Sequence, residues 1–492
     1  MKTTLYTILL SSVIILSGCH DSLLNPTPES VLTESNYYNT SNDINLAVLG
    51  IYNRLQSRKP SDYQILEVPT DNLYLSANTL IEGTPEMDML SVNATNPLIA
   101  SFWEASYNGI FRANAVVTNI DKPTDYKEGE RAQFDGEAKF MRALFYFDLV
   151  RLFGAVPKVT SILSVQEAVN IGRSPENEIF ALIIADLEAA VNQLPSKAAI
   201  DNGRANKAAA MGLLIKVYVY LQQWDKAKIE LDRFFGEFGS SFSLLNDFGA
   251  LWKIASENNQ EVLFSLNYID GSNGHNLSTA FLPNSGVIGI ASRGNEIALP
   301  SWSLHKKYLE DDTRKKATIT EWWIPPNTPN VPAIWYPYVN KYAVPHTQGQ
   351  SGLDLPILRY ADIVLMNAEV LSHLGQYQEG LNEINKIRER AFGNSDHNYS
   401  IADINGEDSF LELLFLERQL EFAYENERWF DLKRSGNFEK IMVEEERLFN
   451  YASQQPVKIA LKPQAYMMLF PIPQRQIDQS TTGVLTQNEG YN

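Results

Sequence analysis

Glu417 and Glu421 stand one helical turn apart, and a pair of carboxylates is what a glycoside hydrolase uses to protonate a leaving oxygen and to attack or activate water. Hydrolase carboxylates face each other across the bond from opposite sides, which two neighbours on one helix face do not easily do. Arg418, Arg428 and Arg434 share the run, so the spacing predicts scaffold ion pairs and not catalysis. Arg359, Asp362 and Glu369 read the same way. Cys19 is the only cysteine, which excludes intramolecular disulfides, CxxC redox centres and cysteine-based zinc sites. The histidines, His20, His275, His305, His346, His373 and His397, form no HxH or HExxH pair. There is no Walker A loop, no Gly-x-Gly-x-x-Gly and no EF-hand loop. The residues call for no cofactor and name no metal ligand or catalytic group.

What remains is stacking. A sugar ring has an apolar C–H face that packs on an indole or phenol ring, and hydroxyl edges that need Asp, Asn, Gln or Arg. Of eight tryptophans, Trp224 and Trp429 sit in helix patterns, Trp103 lies in a helical run and Trp252 precedes a strand, so all four read as structural. Trp302, Trp322, Trp323 and Trp335 remain, all in an irregular stretch. On an extended chain Trp322 and Trp323 point opposite ways, so one packs inward while the other is presented. Trp335-Tyr336-Pro337-Tyr338 alternates likewise, with Trp335 and Tyr336 on opposite faces. Each is open to the plainer reading of a packing aromatic. Asp71-Asn72-Leu73-Tyr74 is a second candidate, with Asp71 and Asn72 bonding hydroxyls while Tyr74 stacks; the same residues also favour an Asx turn. Arg293 and Asn295, in a glycine-rich loop, are weaker candidates of the same kind.

The elements that must carry these residues are mostly helices. After Ser41, a plausible N-cap, Ile44, Ala47, Val48, Ile51 and Leu55 follow helical spacing. A helix over 131–153 stops at Gly154, with Pro157 beyond. Further helix patterns cover 175–194, 206–222, 225–238, 358–374, 377–391 and 409–434. Strand-like runs are few: Glu261–Leu266, Ala333–Val339 and Met467–Ile472. Leu221-Gln222-Gln223-Trp224-Asp225-Lys226-Ala227 parallels Leu374-Gly375-Gln376-Tyr377-Gln378-Glu379-Gly380, each a helix end, a turn, an aromatic and a small residue three later. That is a tetratricopeptide-like pattern, and the expected fold is mainly α: a helical-repeat scaffold over 41–239 and 357–492, interrupted at 240–356 by a loop-rich insertion with short strands. Binding residues tend to sit on such loops.

The chain has 492 residues, with Lys and Arg at 41 against 59 Asp and Glu, a net charge of −18. That excess of acid argues against nucleic acid and against a polybasic membrane surface. Lys2 and the apolar run Leu5–Leu16 are too short to span a bilayer and fit a secretory signal over 1–18. Leu16-Ser17-Gly18-Cys19 resembles a bacterial lipoprotein processing box, which would leave Cys19 lipidated; the alternative is an ordinary signal peptide with an incidental cysteine. Residues 19–40, with Pro26 and Pro28, read as a tether.

Taken together, several segments resemble the RagB/SusD family of Bacteroidetes outer-membrane lipoproteins. They are Cys19-His20-Asp21 with Pro26, Tyr37-Tyr38, Gly50-Ile51-Tyr52, Glu137 to Ala143 and Leu152 to Pro157. Arg359-Tyr360-Ala361-Asp362 with Ala368-Glu369, Ile384-Asn385 and Arg388, Glu417 to Phe422, Glu427 to Arg434 and Pro471-Ile472-Pro473 continue the match to the tail. Glu489 and Gln476 depart from it, where the family usually has Pro and Glu. The resemblance implies a tetratricopeptide-like fold and a SusC-like TonB-dependent transporter as partner. It further implies an outer-membrane, outward-facing position and capture of oligosaccharide, or in some members peptide, without catalysis. It also favours the early loop at Asp71–Tyr74 together with the later aromatics as a ligand region. A peptide-binding protein of the same architecture and, last, a surface glycoside hydrolase are the competing readings.

Overall fold

The computed structural model describes residues 37–77, 81–347 and 349–491. The apolar leader, Cys19 and the tether up to residue 36 lie outside the described residues. The first long helix, α1 (Ser41–Arg58), is capped by Thr40 and not by Ser41: Thr40 Oγ1 accepts from Asp43 N while the Asp43 side chain accepts from Thr40 N. Ser41 is the first helical residue, and its N–H donates to Asp125 instead. Ile44, Val48, Ile51 and Leu55 are buried on one face, as their spacing predicts.

The long helices that follow are α2 (Pro97–Asn119), α3 (Glu130–Phe153), α4 (Glu176–Gln193), α5 (Lys207–Tyr220), α6 (Trp224–Phe238), α7 (Tyr360–His373), α8 (Tyr377–Phe392) and α9 (Glu407–Phe422). Each packs on the next in chain order, giving the stacked helix pairs of a tetratricopeptide-like scaffold. Two repeat signatures lock adjacent pairs. Trp224, opening α6, stacks on His373 at the end of α7 with ring centres 3.8 Å apart. Gly380 lets α8 close on its neighbours, because a Cβ there would lie 2.7 Å from the Phe410 ring and 3.0 Å from Ala368 O. Ala227 fills the corresponding place after Trp224 and is fully buried. The helix α3 is central, with almost every side chain from Phe134 to Phe153 buried, and Gly154 ends it at φ +70.

Two expectations fail here. The run 409–434 is not one helix: α9 ends at Phe422, and a separate helix covers Arg428–Arg434. Tyr424 and Asn426 between them both take φ 70, which no continuous helix allows. Long-range bonds hold the break, from Tyr342 Oη to Tyr424 O at 2.7 Å and from Asn426 N to Glu67 Oε1 at 2.6 Å. Nor is 467–472 a strand. A short 3-10 turn covers Ala465–Met468, after which Phe470 N donates to Leu152 O at the end of α3 and Ile472 N to the Gln487 side chain.

The strands form two-stranded antiparallel ribbons. β1 (Leu73–Leu75) pairs with β3 (Ala298–Pro300), and β2 (Val262–Leu266) with β6 (Leu355–Arg359). β4 (Ile319–Trp323) pairs with β5 (Ile334–Val339), and β7 (Glu444–Asn450) with β8 (Gln455–Ala460). The β7–β8 hairpin rises from the C-terminal part of the chain, where only scaffold was expected. Among the described residues no helix is long and apolar enough to cross a membrane.

Candidate functional site

The paired carboxylates of α9 are structural. Glu417 and Glu421 are fully buried. Glu417 binds Arg314 at 2.5 Å and Arg388 at 2.8 Å, while Glu421 binds Arg390 at 2.7 Å and Arg359 at 3.0 Å. Burial alone would raise the Glu421 carboxyl, but Arg390, Arg359 and Arg314 outweigh it and hold it well below the usual carboxylate range. Neither group faces a space that a substrate enters.

Asp71 and Asn72 are likewise withdrawn from any ligand, a correction to the sequence reading. Both are wholly buried. Asp71 accepts from Arg428 Nε at 2.6 Å, from Lys307 Nζ at 3.0 Å and from Gln419 Nε2 at 2.9 Å. Asn72 donates to Glu67 Oε2 at 2.8 Å and accepts from Gln419 at 2.9 Å. These bonds tie the start of β1 to α9 and to the helix Arg428–Arg434, which is why the pair is polar. Burial pushes Glu67 up to about 8, against hydrogen bonds from Asn72 and the Asn426 backbone.

Aromatic rings gather instead around the β4–β5 and β7–β8 hairpins. Trp322 and Trp335 are cross-strand partners, and Trp323 lies opposite Ile334. Trp335 turns inward with Trp302 and Phe449, its ring centre 6.2 Å from Trp302 and 5.1 Å from Phe449. Tyr74 joins this floor, nearly buried, with its ring 6.1 Å from Phe449 and its Oη 3.2 Å from Tyr451 Oη. Trp323 is half-buried; its Nε1 donates to Gly286 O at 2.9 Å and its ring sits 5.2 Å from Tyr336. Tyr336 stacks on Tyr451 and donates its hydroxyl to Glu296 at 2.8 Å. Trp322 is the presented ring, 55 % exposed. Ile324, Val331 and Ile334 are exposed beside it on the same hairpin.

Charged groups pack against the floor of this face. His305, beside Trp302, shares Glu321 with Lys315, at 2.5 and 3.2 Å. Burial would raise Glu321, but His305 and Lys315 together bring it below its ordinary value. Trp302 Nε1 and His305 Nδ1 are buried with no hydrogen-bond partner among the described residues. Phe449 and Tyr451 were missed by sequence reasoning, because the acidic run Glu444-Glu445-Glu446 that opens β7 gives no clear strand signal. Arg293 and Asn295 are exposed on the loop carrying Gly286.

A separate apolar groove of about 480 Å³ runs between Trp103 and Tyr107 of α2, Val165 and Val169, and Leu485, with Glu104 at its rim. Among the described residues no group of three or more His, Cys, Asp or Glu is placed to hold a metal ion.

A stacked helical-pair scaffold that carries an aromatic face on irregular segments defines a class in which helices support and loops present. Comparison with known proteins identifies the family. The family model described as SusD family matches residues 327–491, and that described as starch-binding associating with outer membrane matches 43–219. The chain belongs to the SusD/RagB family. A SusD-like protein of Formosa agariphila is 25% identical over 96% of both chains. A SusD-like protein of Bacteroides ovatus is 26% identical over 88% of this chain and 82% of its own. Among solved structures, a SusD homologue from Bacteroides thetaiotaomicron superposes with TM-score 0.78 at 23% identity, covering 94% of this chain and all of its own. Surface glycan-binding protein A from the same species, in complex with laminarihexaose, gives 0.75 at 21%, covering 91% and 99%. These likenesses establish the tetratricopeptide-like fold.

Proposed function

We propose that the protein is a lipid-anchored, outward-facing glycan-binding protein of the outer membrane that captures oligosaccharide and passes it to a SusC-like TonB-dependent transporter. The observation that carries the reading is Trp322. A ring this exposed, whose cross-strand partner Trp335 packs on Phe449, is what an apolar sugar face needs. Relatives described as surface glycan-binding or laminarin-binding share the frame. Cys19 supplies the anchor and, once lipidated on several chains, holds stably where one chain is marginal. The protein acts by binding, since its neighbouring carboxylates Glu417 and Glu421 are locked among arginines.

Peptide capture is the second reading, and the groove at Trp103 favours it, being apolar with the Glu104–Arg475 pair at one edge. Titration against a panel of plant, host and microbial glycans and against mixed peptides separates the two. Tryptophan fluorescence or calorimetry reports binding, and the same samples are assayed for new reducing ends. Glycan binding without turnover is expected; peptide binding alone, or release of reducing ends, overturns the assignment. Co-purification of the membrane-extracted protein with a TonB-dependent transporter tests the partner.

A further inference from the structure

The hairpin residues 322–339 contain no Asp, Glu, Lys or Arg, and the loop 283–296 contains only Arg293 and Glu296. Glu296 is buried and already accepts from Tyr336 Oη and Ser76 Oγ. Arg293 is exposed, and among the described residues its guanidinium has neither an ion pair nor a hydrogen bond. It is held close to the aromatic face by the backbone. Gly286 O receives the Trp323 indole at 2.9 Å, and a Cβ on Gly286 would lie 2.7 Å from Arg293 N. Loop and indole are thus in contact, which puts Arg293 on a segment bordering the Trp323 side of the hairpin.

The lysines Lys307 and Lys315, on the segments that lead into β4, are by contrast paired, with Asp71 and with Glu310 and Glu321. Arginine's planar fork matches a carboxylate or a sulfate with two parallel hydrogen bonds, and a guanidinium is more weakly hydrated than an ammonium. We propose that the glycan taken on this face carries an anionic substituent, a uronate carboxylate or a sulfate ester, which Arg293 receives while the rings take the apolar face. The inference rests on the aromatic face being the glycan site. The overall negative charge repels a densely charged polyanion, though salt limits that repulsion to about 8 Å. One anionic group near one cation is the arrangement that fits, so a sparsely charged glycan is favoured over a heavily charged one.

The test titrates the protein with oligouronides and their carboxyl-reduced counterparts, and with sulfated galactan oligosaccharides and their desulfated counterparts, at low and physiological salt. Arg293→Gln, Arg293→Lys and Trp322→Ala are carried in parallel. The acidic form of one pair is expected to bind about tenfold or more tighter than its neutral counterpart. Arg293→Gln is expected to erase that difference and leave neutral binding unchanged, while Arg293→Lys retains part of it. The pair that responds tells carboxylate from sulfate. Equal binding of acidic and neutral forms, or an equal loss on both in Arg293→Gln, overturns the inference and leaves the aromatic site standing. Unchanged binding in Trp322→Ala, or no glycan binding at all, overturns the aromatic site itself.

Discussion

Tyr336 and Tyr451 stack with ring centres 4.5 Å apart and planes within 12° of parallel, joining the β4–β5 hairpin to the turn of β7–β8. Tyr451 also meets Tyr74 through their hydroxyls at 3.2 Å. Tyr451 therefore links its own hairpin to β1 and to β4–β5, while Trp302 meets the floor through Trp335 and Phe449.

That position makes Tyr451 a positioning residue for the face. Tyr451→Ala is expected to free Tyr336 from its stack and weaken glycan binding about tenfold, whereas Tyr451→Phe keeps the stack, loses only the hydroxyl contact and binds within a few-fold of the parent. Calorimetry on both variants checks this. Equal losses in the two would assign the effect to the hydroxyl and not to the ring.

The buried Glu421 is expected to matter for stability alone. Glu421→Gln leaves Arg390 and Arg359 without their shared carboxylate, and breaking a buried pair in this way costs about 3–5 kcal/mol. Denaturant melts should show this as a lower midpoint. The fraction that stays folded should bind glycan with the parental affinity.

Glu67 gives a pH signature. Its folded value of about 8 lies above the roughly 4.3 of an unfolded carboxyl, so between those values the folded state holds a proton that the unfolded state releases. Stability from this group is complete below about pH 4.3 and is lost as pH rises through about 8. Asp354, raised by burial to about 7, acts in the same direction. Melting temperature should fall from pH 5.5 to 8.5, and Glu67→Gln should flatten the fall. An identical slope in parent and variant would place the dependence elsewhere.

The long helices were legible because their signal is local: Ile44, Val48, Ile51 and Leu55 report one face within a few turns, and Gly154 marks an end by its own conformation. Asp71 was not legible. A polar residue before a strand reads alike whether it meets water or Arg428, and its partner lies 357 positions away. The break at Tyr424 and Asn426 was hidden for the same reason, since the bonds that hold it come from Tyr342 and Glu67. Within the site, alternation along β4 and β5 marked Trp322 and Trp335 as candidates. Nothing local showed that Phe449 and Tyr451 would complete the floor, because that contact is made by tertiary packing.

Trp322 offers the most direct measurement. Its ring is exposed and contributes little to the core, so Trp322→Ala is expected to change stability by no more than about 0.5 kcal/mol. Calorimetry of parent and Trp322→Ala against the best glycan of the panel should then show a loss of affinity of about tenfold or more with an unchanged melting temperature. Undiminished glycan affinity in a folded Trp322→Ala protein would contradict the assignment of this face as the binding site.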